Sequence, residues 1–374
     1  MNITMMPTLN APVVYYRMEN FVKQFRKMGH TVGFSYWGPG YTNTCNWEHD
    51  LKPGEVNTFL EDLYDSVSHS DIVVFQSVHT KIGISVIMAL QEQFRKVPIL
   101  SEYDDSIYSV NSSSPSFKWT GPGGDVEWVG DKQLEASDGL IVSTDYLKKI
   151  YSKKNCNIAV VPNAIDFEVW SNLKEKKKGK KIKIGWEGGA NHETNLRLIK
   201  NVVPTILAKY KNVEFHFKYG GHPIDYLKGK RIKFDDYHKW TSVDKHPQSM
   251  KNANFDIGIA PLRDLDFNRS KSNLRFLEYS ALGIPTVASP VEPYLCIEHG
   301  KTGYLASNDN EWVECLSKLI ENEELRRYVG KTAYLYVRDN HSVEVVAKDY
   351  IKKLEGYIGD NNESNNGICT EVSR

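Results

Sequence analysis

The chain has 374 residues, enough for two domains that each bury a core of their own. Lys and Arg number 47, as do Asp and Glu, so no net field holds the chain on nucleic acid or an anionic membrane, which disfavours a general DNA binder. Five scattered cysteines without a C-x-x-C pair fit a reduced compartment and no structural zinc, and MNITMMPTLNAP with no apolar window near eighteen residues predicts a soluble cytoplasmic protein without a signal peptide or transmembrane segment.

Asn2 to Met6 reads as a first strand, residues 7 to 17 as a loop, and Phe21 to Met28 as part of a helix that stops at Gly29. A loop at the carboxyl end of the first strand of an open α/β sheet points into the crevice, and this one holds Tyr16 and Arg17. Arg17 either faces a ligand in the crevice or packs under an aromatic at the helix start. His30 to Tyr36, Ile72 to Gln76 and Val97 to Leu100 read as strands, with helical patterns at Val56 to Val67 and Ile82 to Phe94 between them. Such alternation indicates parallel β-α-β units.

The next residues, SEYDDSIYSV, set Glu102, Asp104 and Asp105 at a strand's carboxyl end. Three carboxylates so close repel unless one has a cationic partner or a raised pKa. They either serve a site or form turns and caps; a metal is disfavoured, because no His or Cys sits nearby. Residues 109 to 130 are dense in Ser, Pro and Gly yet keep Phe117, Trp119 and Trp128, as a cleft-side loop would. A helix from Asp131 to Ala136, a strand from Leu140 to Ser143 and a helix from Tyr146 to Tyr151 follow.

Residues 1 to 171 form the expected first domain, ending in VVPNAIDFEVW, and KEKKKGKKIK from Lys174 is a solvated linker or a basic rim for an anionic acceptor. The second domain, 172 to 340, opens with a strand at Ile182 to Trp186, then Glu187, Gly188, Gly189 and His192 ahead of a helix from Thr194 to Lys209. Two glycines there let backbone approach a ligand, with His192 bonding it or capping the helix. Val213 to Tyr219 repeats the theme, and in IKFDDYHKW either Tyr237 or Trp240 stacks on a base or packs in the core. Trp312 to Ile320, Glu324 to Val329 and Val343 to Tyr357 read as amphipathic helices, and a disordered tail is expected from Gly359.

The most informative stretch is Asp256 to Ser289, DIGIAPLRDLDFNRSKSNLRFLEYSALGIPTVAS. Apolar runs at Ile257 to Leu262 and Ile284 to Ala288 bracket a polar basic segment and a helix from Asn273 to Leu282 that Gly283 and Pro285 stop. The loop before the helix supplies Arg269, Ser270, Lys271 and Ser272, cations and amides suited to a diphosphate, while Glu278 lies on the helix itself. The competing reading makes these solvated charges and a surface carboxylate.

The run Lys271 to Ser289, with Phe267, Asn268, the VPNA segment at Val161 to Ala164 and GKTGYL at Gly300 to Leu305, resembles the donor-binding half of retaining GT-B glycosyltransferases, close to glycosyltransferase family four. The resemblance implies two Rossmann-like doubly wound α/β domains facing each other across a cleft, with a final helix, 341 to 358, crossing back to the first. It implies a nucleotide sugar, UDP-, GDP- or dTDP-linked, as the donor substrate, no bound cofactor and no required metal. The acceptor would be a glycan, a lipid-linked sugar or a modified nucleic acid. Glu278 matches the family Glu that holds the ribose. Ser270 stands where the family's first Glu belongs, which shifts the phosphate-side role to Lys271 and Ser272. Lys271, Asp104 and Asp105 are thus the expected catalytic residues; Gly188, Gly189, His192, Tyr237, Ser270, Ser272 and Glu278 the donor-binding set; Tyr16 and Arg17 the acceptor side. Alternatives are a phage-type DNA glycosyltransferase acting on hydroxymethylated bases, a GT-B-fold nucleotide-sugar epimerase, and an inactive sugar-nucleotide-binding module.

Overall fold

The computed structural model describes residues 1–7, 12–34, 53–78, 81–108, 125–174, 179–189, 192–219, 224–236 and 245–362. They fall into two compact units. One takes the chain up to Ala164 and again from Val343; the other takes Ile165–Ser342. The first unit therefore gives up the chain before residue 171. Ile165 bridges Ser342 in the second unit, and Trp170 packs edge-on against His246 there, at 6.0 Å between ring centres.

The first unit is built on β1 (Asn2–Met6), β2 (Thr31–Phe34), β3 (Ile72–Gln76), β4 (Ile99–Tyr103), β5 (Gly139–Val142) and β6 (Ile158–Val160), in the order β2-β1-β3-β4-β5-β6. All neighbours pair in parallel. Parallel strands covered on both faces read as unbroken apolar runs rather than alternating ones, and every residue of β3 and β5 is buried. The last helix, Val343–Asn362, belongs to this unit: Tyr350 packs on Phe21 and Phe25, and the Tyr357 hydroxyl donates to the carbonyls of Leu140 and Asn157. It stays helical to Asn362, past the expected start of a disordered tail at Gly359; the residues from 363 lie outside the described ones.

The expected loop from 7 to 17 is helical from Pro12. Pro12–Val14 and a wide turn, Tyr15–Glu19, run into the helix Asn20–Lys27. This winding turns Tyr16 and Arg17 inward: both are buried, and Arg17 has no exposed surface. Its Nε donates to Glu102 Oε1 at 2.6 Å, and its Nη1 to the Val161 carbonyl at 2.7 Å and to Asn163 Oδ1 at 3.0 Å. Arg17 is the cation that the carboxylates after β4 require. Burial pushes the Glu102 carboxyl up to about 7, against the pull of Arg17.

The second unit carries β7 (Ile182–Gly188), β8 (Val213–Tyr219), β9 (Ile232–Asp236), β10 (Ile257–Ala260), β11 (Thr286–Ala288) and β12 (Tyr304–Leu305), in the order β12-β11-β10-β7-β8-β9, again all parallel. The strand order reverses between β7 and β10, and ligands of open α/β sheets bind outside the carboxyl ends of the strands at such a point. The helix expected over Thr194–Lys209 is broken into Glu193–Leu196, a tight turn Arg197–Ile199 and Val202–Lys209. Pro204 forces the restart: without an N–H it fits only a first turn. The helix around Val329 is far longer than its apolar pattern suggests, Glu323–His341. No helix among the described residues is long and apolar enough to cross a membrane.

Candidate functional site

The reversal point of the second sheet is where the chain's unusual chemistry gathers. From β10 the chain passes through a short helical turn, Asp266–Arg269, into the helix Leu274–Ala281. Asn273 stands at the N-cap, but its side chain makes no cap bond and donates instead to Cys296 Sγ at 3.5 Å. The positive end of the helix is thus without the usual side-chain acceptor, as an anion site requires. Gly283, at φ 68°, turns the chain out of the helix.

Two glycines seat that helix on the sheet. Gly258 of β10 and Gly185 of β7 are register partners, and a Cβ on Gly258 would lie 2.4 Å from the Tyr279 ring, one on Gly185 2.1 Å from Phe255. Their bare backbone lets Tyr279 lie on the strands with its hydroxyl donating to the Gly185 carbonyl. Glu278, one residue before, is thereby carried to the strand ends.

Glu278 is buried at 4% exposure and does not stand alone. Its Oε1 is 3.0 Å from His246 Nε2, and its Oε2 is 3.4 Å from Arg275 Nη1. His246 Nδ1 lies 3.5 Å from Glu187 Oε1, and Lys218 Nζ donates to Glu187 Oε2 at 3.1 Å and to Ser249 Oγ at 2.8 Å. Two carboxylates thus share His246, with Lys218 and Arg275 at the flanks. Burial lowers the His246 pKa, but the hydrogen bond to Glu278 and the fields of Glu278 and Glu187 more than offset it, and the net shift is upward.

On the other side of Arg275 lies His192. The Arg275 guanidinium sits 5.7 Å from the Trp186 ring centre, and His192 meets the same ring edge-on. Asn195 Oδ1 accepts from the Arg263 amide at 3.0 Å and from Asn268 at 2.9 Å, which orients its NH₂ toward His192 Nδ1, 3.1 Å away. A nitrogen that accepts carries no proton, so neutral His192 presents its N–H at Nε2. Burial, then the charges of Lys271 and Arg275, hold His192 well below its ordinary pKa. Both cations therefore lie close to it.

Of the residues singled out from sequence, Glu278 meets Arg275, and His192 lies within the fields of Arg275 and Lys271. Lys271, half-buried, rests over the Phe267 ring at 4.3 Å. Gly189 turns the chain, its carbonyl accepting from the His192 amide. At Gly188 the space of a Cβ is taken by the Trp186 ring, 2.5 Å away, and Arg275, so this glycine serves side chains of its own unit. Ser270 is wholly buried and donates to the Phe267 carbonyl at 2.7 Å. Arg269 forms a forked pair with Asp264 on the surface. Tyr237 lies outside the described residues. In the first unit, half-buried Asp104 accepts from Asn163 at 3.2 Å and Asp105 is exposed.

Local pattern does not mark His246, Glu187, Lys218, Asn195 or Arg275 as site residues. The helix His246–Ala253 has terminal signals only, Pro247 in its first turn and Asn254 in the left-handed conformation after it. Arg275 alone was within reach of sequence, three residues before Glu278 on one helix face. Among the described residues no group of His, Cys, Asp and Glu is spaced to hold a metal ion.

Residues 202–352 match the family described as glycosyl transferase-like. No curated protein matches the chain in sequence. Solved structures resemble it over nearly its whole length. Anabaena HepE in complex with UDP-glucose is 13% identical, with 95% of this chain and 100% of that one covered and a TM-score of 0.65. Sucrose-phosphate synthase from Thermosynechococcus elongatus is 11% identical, with 96% and 100% covered and a TM-score of 0.63. A glycosyltransferase from Rickettsia africae is 13% identical, with 96% and 98% covered and a TM-score of 0.61. At such low identity these likenesses establish the fold, that of GT-B glycosyltransferases with two parallel-sheet, Rossmann-like α/β domains.

Proposed function

We propose that the chain is a retaining glycosyltransferase that moves a sugar from a nucleotide-sugar donor to an acceptor hydroxyl. One observation supports the reading: Lys271, a helix start whose N-cap Asn273 makes no cap bond, and the buried carboxylate of Glu278 all follow β10, beside which the strand order of the second sheet reverses. A diphosphate docks against the helix amides with Lys271 beside it, and the ribose hydroxyls donate to Glu278. A carboxylate accepts up to about four hydrogen bonds, so one held by His246 and Arg275 takes hydroxyls as well. The glycosyl transferase-like match over 202–352 contains Lys271 and Glu278, and HepE, of the same fold, holds UDP-glucose.

In this reading Lys271, the helix start and the Nε2 hydrogen of His192 stabilise the charge that develops on the leaving diphosphate. His192 suits the task in its neutral form, as a donor of fixed tautomer. Ser270 offers no carboxylate at the family's first Glu position and spends its hydroxyl on Phe267, so the phosphate-side work falls to Lys271. Asp104 and Asp105 then act on the acceptor. Retention in this class proceeds without a protein nucleophile. The donor is UDP-, GDP- or dTDP-linked.

Turnover of a panel of these donors, with and without acceptors, tests the reading. Loss of activity in Lys271→Ala and Glu278→Gln is expected, and a Lys271→Ala enzyme as active as the parent refutes it. An epimerised nucleotide sugar formed without any acceptor would identify an epimerase instead, and binding without turnover an inactive module.

A further inference from the structure

We propose that His246 is a positioning residue for the donor: its imidazolium, anchored on Glu187, holds the Glu278 carboxylate in the orientation that accepts the ribose hydroxyls. This deepens the donor-site reading above and rests on it. Both ring nitrogens face carboxylate oxygens, Nε2 toward Glu278 at 3.0 Å and Nδ1 toward Glu187 at 3.5 Å. Ionised carboxylates only accept, so both contacts are attractive only when both nitrogens carry a hydrogen. A neutral ring with its hydrogen on Nε2 still donates to Glu278 but turns a lone pair toward Glu187 and loses that anchor.

The rest of the pocket fixes the ring, and Arg275 is the second group on the carboxylate, at 3.4 Å from Oε2. His246 opens the His246–Ala253 helix, is buried at 6% exposure and meets Trp170 edge-on, so its plane is set by packing. Lys218 of β8 holds Glu187 from the far side and ties to Ser249 on the helix of His246. The charged groups facing the ring are Glu187 from β7, Lys218 from β8, and Glu278 with Arg275 from the Leu274–Ala281 helix; Tyr279 on that helix is the neighbouring phenol. The two carboxylates favour the imidazolium and the cations oppose it, with the upward pKa shift as the net result. Ribose recognition should therefore be strongest below the His246 pKa and weaken above it.

The test is calorimetric binding of UDP, GDP and ADP and of their 2′,3′-dideoxy counterparts between about pH 6 and pH 9. The ratio of the two affinities cancels any titration of the diphosphate itself. With the whole protein, the ribonucleotide that binds should exceed its dideoxy form by about tenfold or more, as hydrogen bonds to a carboxylate would give. That ratio should fall as pH rises. In His246→Gln, which keeps an N–H but cannot titrate, it should not vary with pH; in His246→Phe, which keeps a ring against Trp170, it should approach one. A nucleotide that binds with a pH-independent ratio in the parent protein, unchanged by both substitutions, overturns the inference and leaves the donor site standing. If none of the three nucleotides binds, and dTDP does not bind either, the donor-site reading falls and takes the inference with it. Should both variants fail to fold, the parent's pH profile and the titration of the His246 ring by NMR still decide, and a ring that titrates below the ordinary imidazole value defeats the proposal.

Discussion

Replacing Arg17 by Met separates two incompatible roles for the residue. In the structure its guanidinium has no exposed surface and gives three hydrogen bonds, at 2.6 Å to Glu102, 2.7 Å to the Val161 carbonyl and 3.0 Å to Asn163. Methionine fills much of the space but supplies no donor. Glu102 and the Val161 carbonyl are then left buried without it, and breaking a buried pair by removing one partner costs about 3–5 kcal/mol. Glu102→Gln should also destabilise, because its amide oxygen still accepts from Arg17 but the guanidinium, which cannot be deprotonated, is left buried without its carboxylate. Urea-dependent hydrogen exchange, read on peptides of β1, β4 and β6, measures the loss where it occurs and avoids treating two units as one transition. Nucleotide affinity of the second unit should be unchanged. An Arg17→Met protein with unaltered exchange but no transfer activity would refute the structural role and restore Arg17 to the acceptor side.

Lys271→Ala should lower transfer by about 10²–10³, the usual loss when one preorganised donor to a developing anion is removed, whereas Asp104→Asn should cost less; steady-state kinetics on both variants compare them directly, and the reverse order would count against Lys271. Gly258→Ala places a methyl about 2.4 Å from the Tyr279 ring, and overpacking of this kind costs about 1–3 kcal/mol; a urea midpoint equal to the parent's would show that Tyr279 moves freely. The His246 pKa is raised in the folded protein, so the stability its ion pairs contribute is full below its ordinary value, 6.5, and is lost as pH rises through the folded value. Each unit of separation is worth about 1.4 kcal/mol, and a parent-minus-His246→Gln stability difference that stays flat across that range contradicts the sign.

The likeness of the Lys271–Ser289 run to a donor-binding segment and the order of strands and helices were legible in the chain itself. The physical reason is locality: a buried parallel strand needs an unbroken apolar run, a helix a 3.6-residue stripe, a stop a Gly or Pro, and each is written within a few residues. Glu278 could be placed on a helix beside a basic loop for the same reason. What surrounds it could not. Its partner His246 is 32 positions away, and Arg17 meets Glu102 across 85. The glycines under Tyr279 and Phe255 sit on two strands that become neighbours only when the sheet reverses between them. Periodicity says which face of an element is buried but not which residue of a distant element shares that burial. So the identity of the elements belongs to the sequence, and the company each charged side chain keeps, with the pKa direction that follows from it, was decided by the tertiary fold.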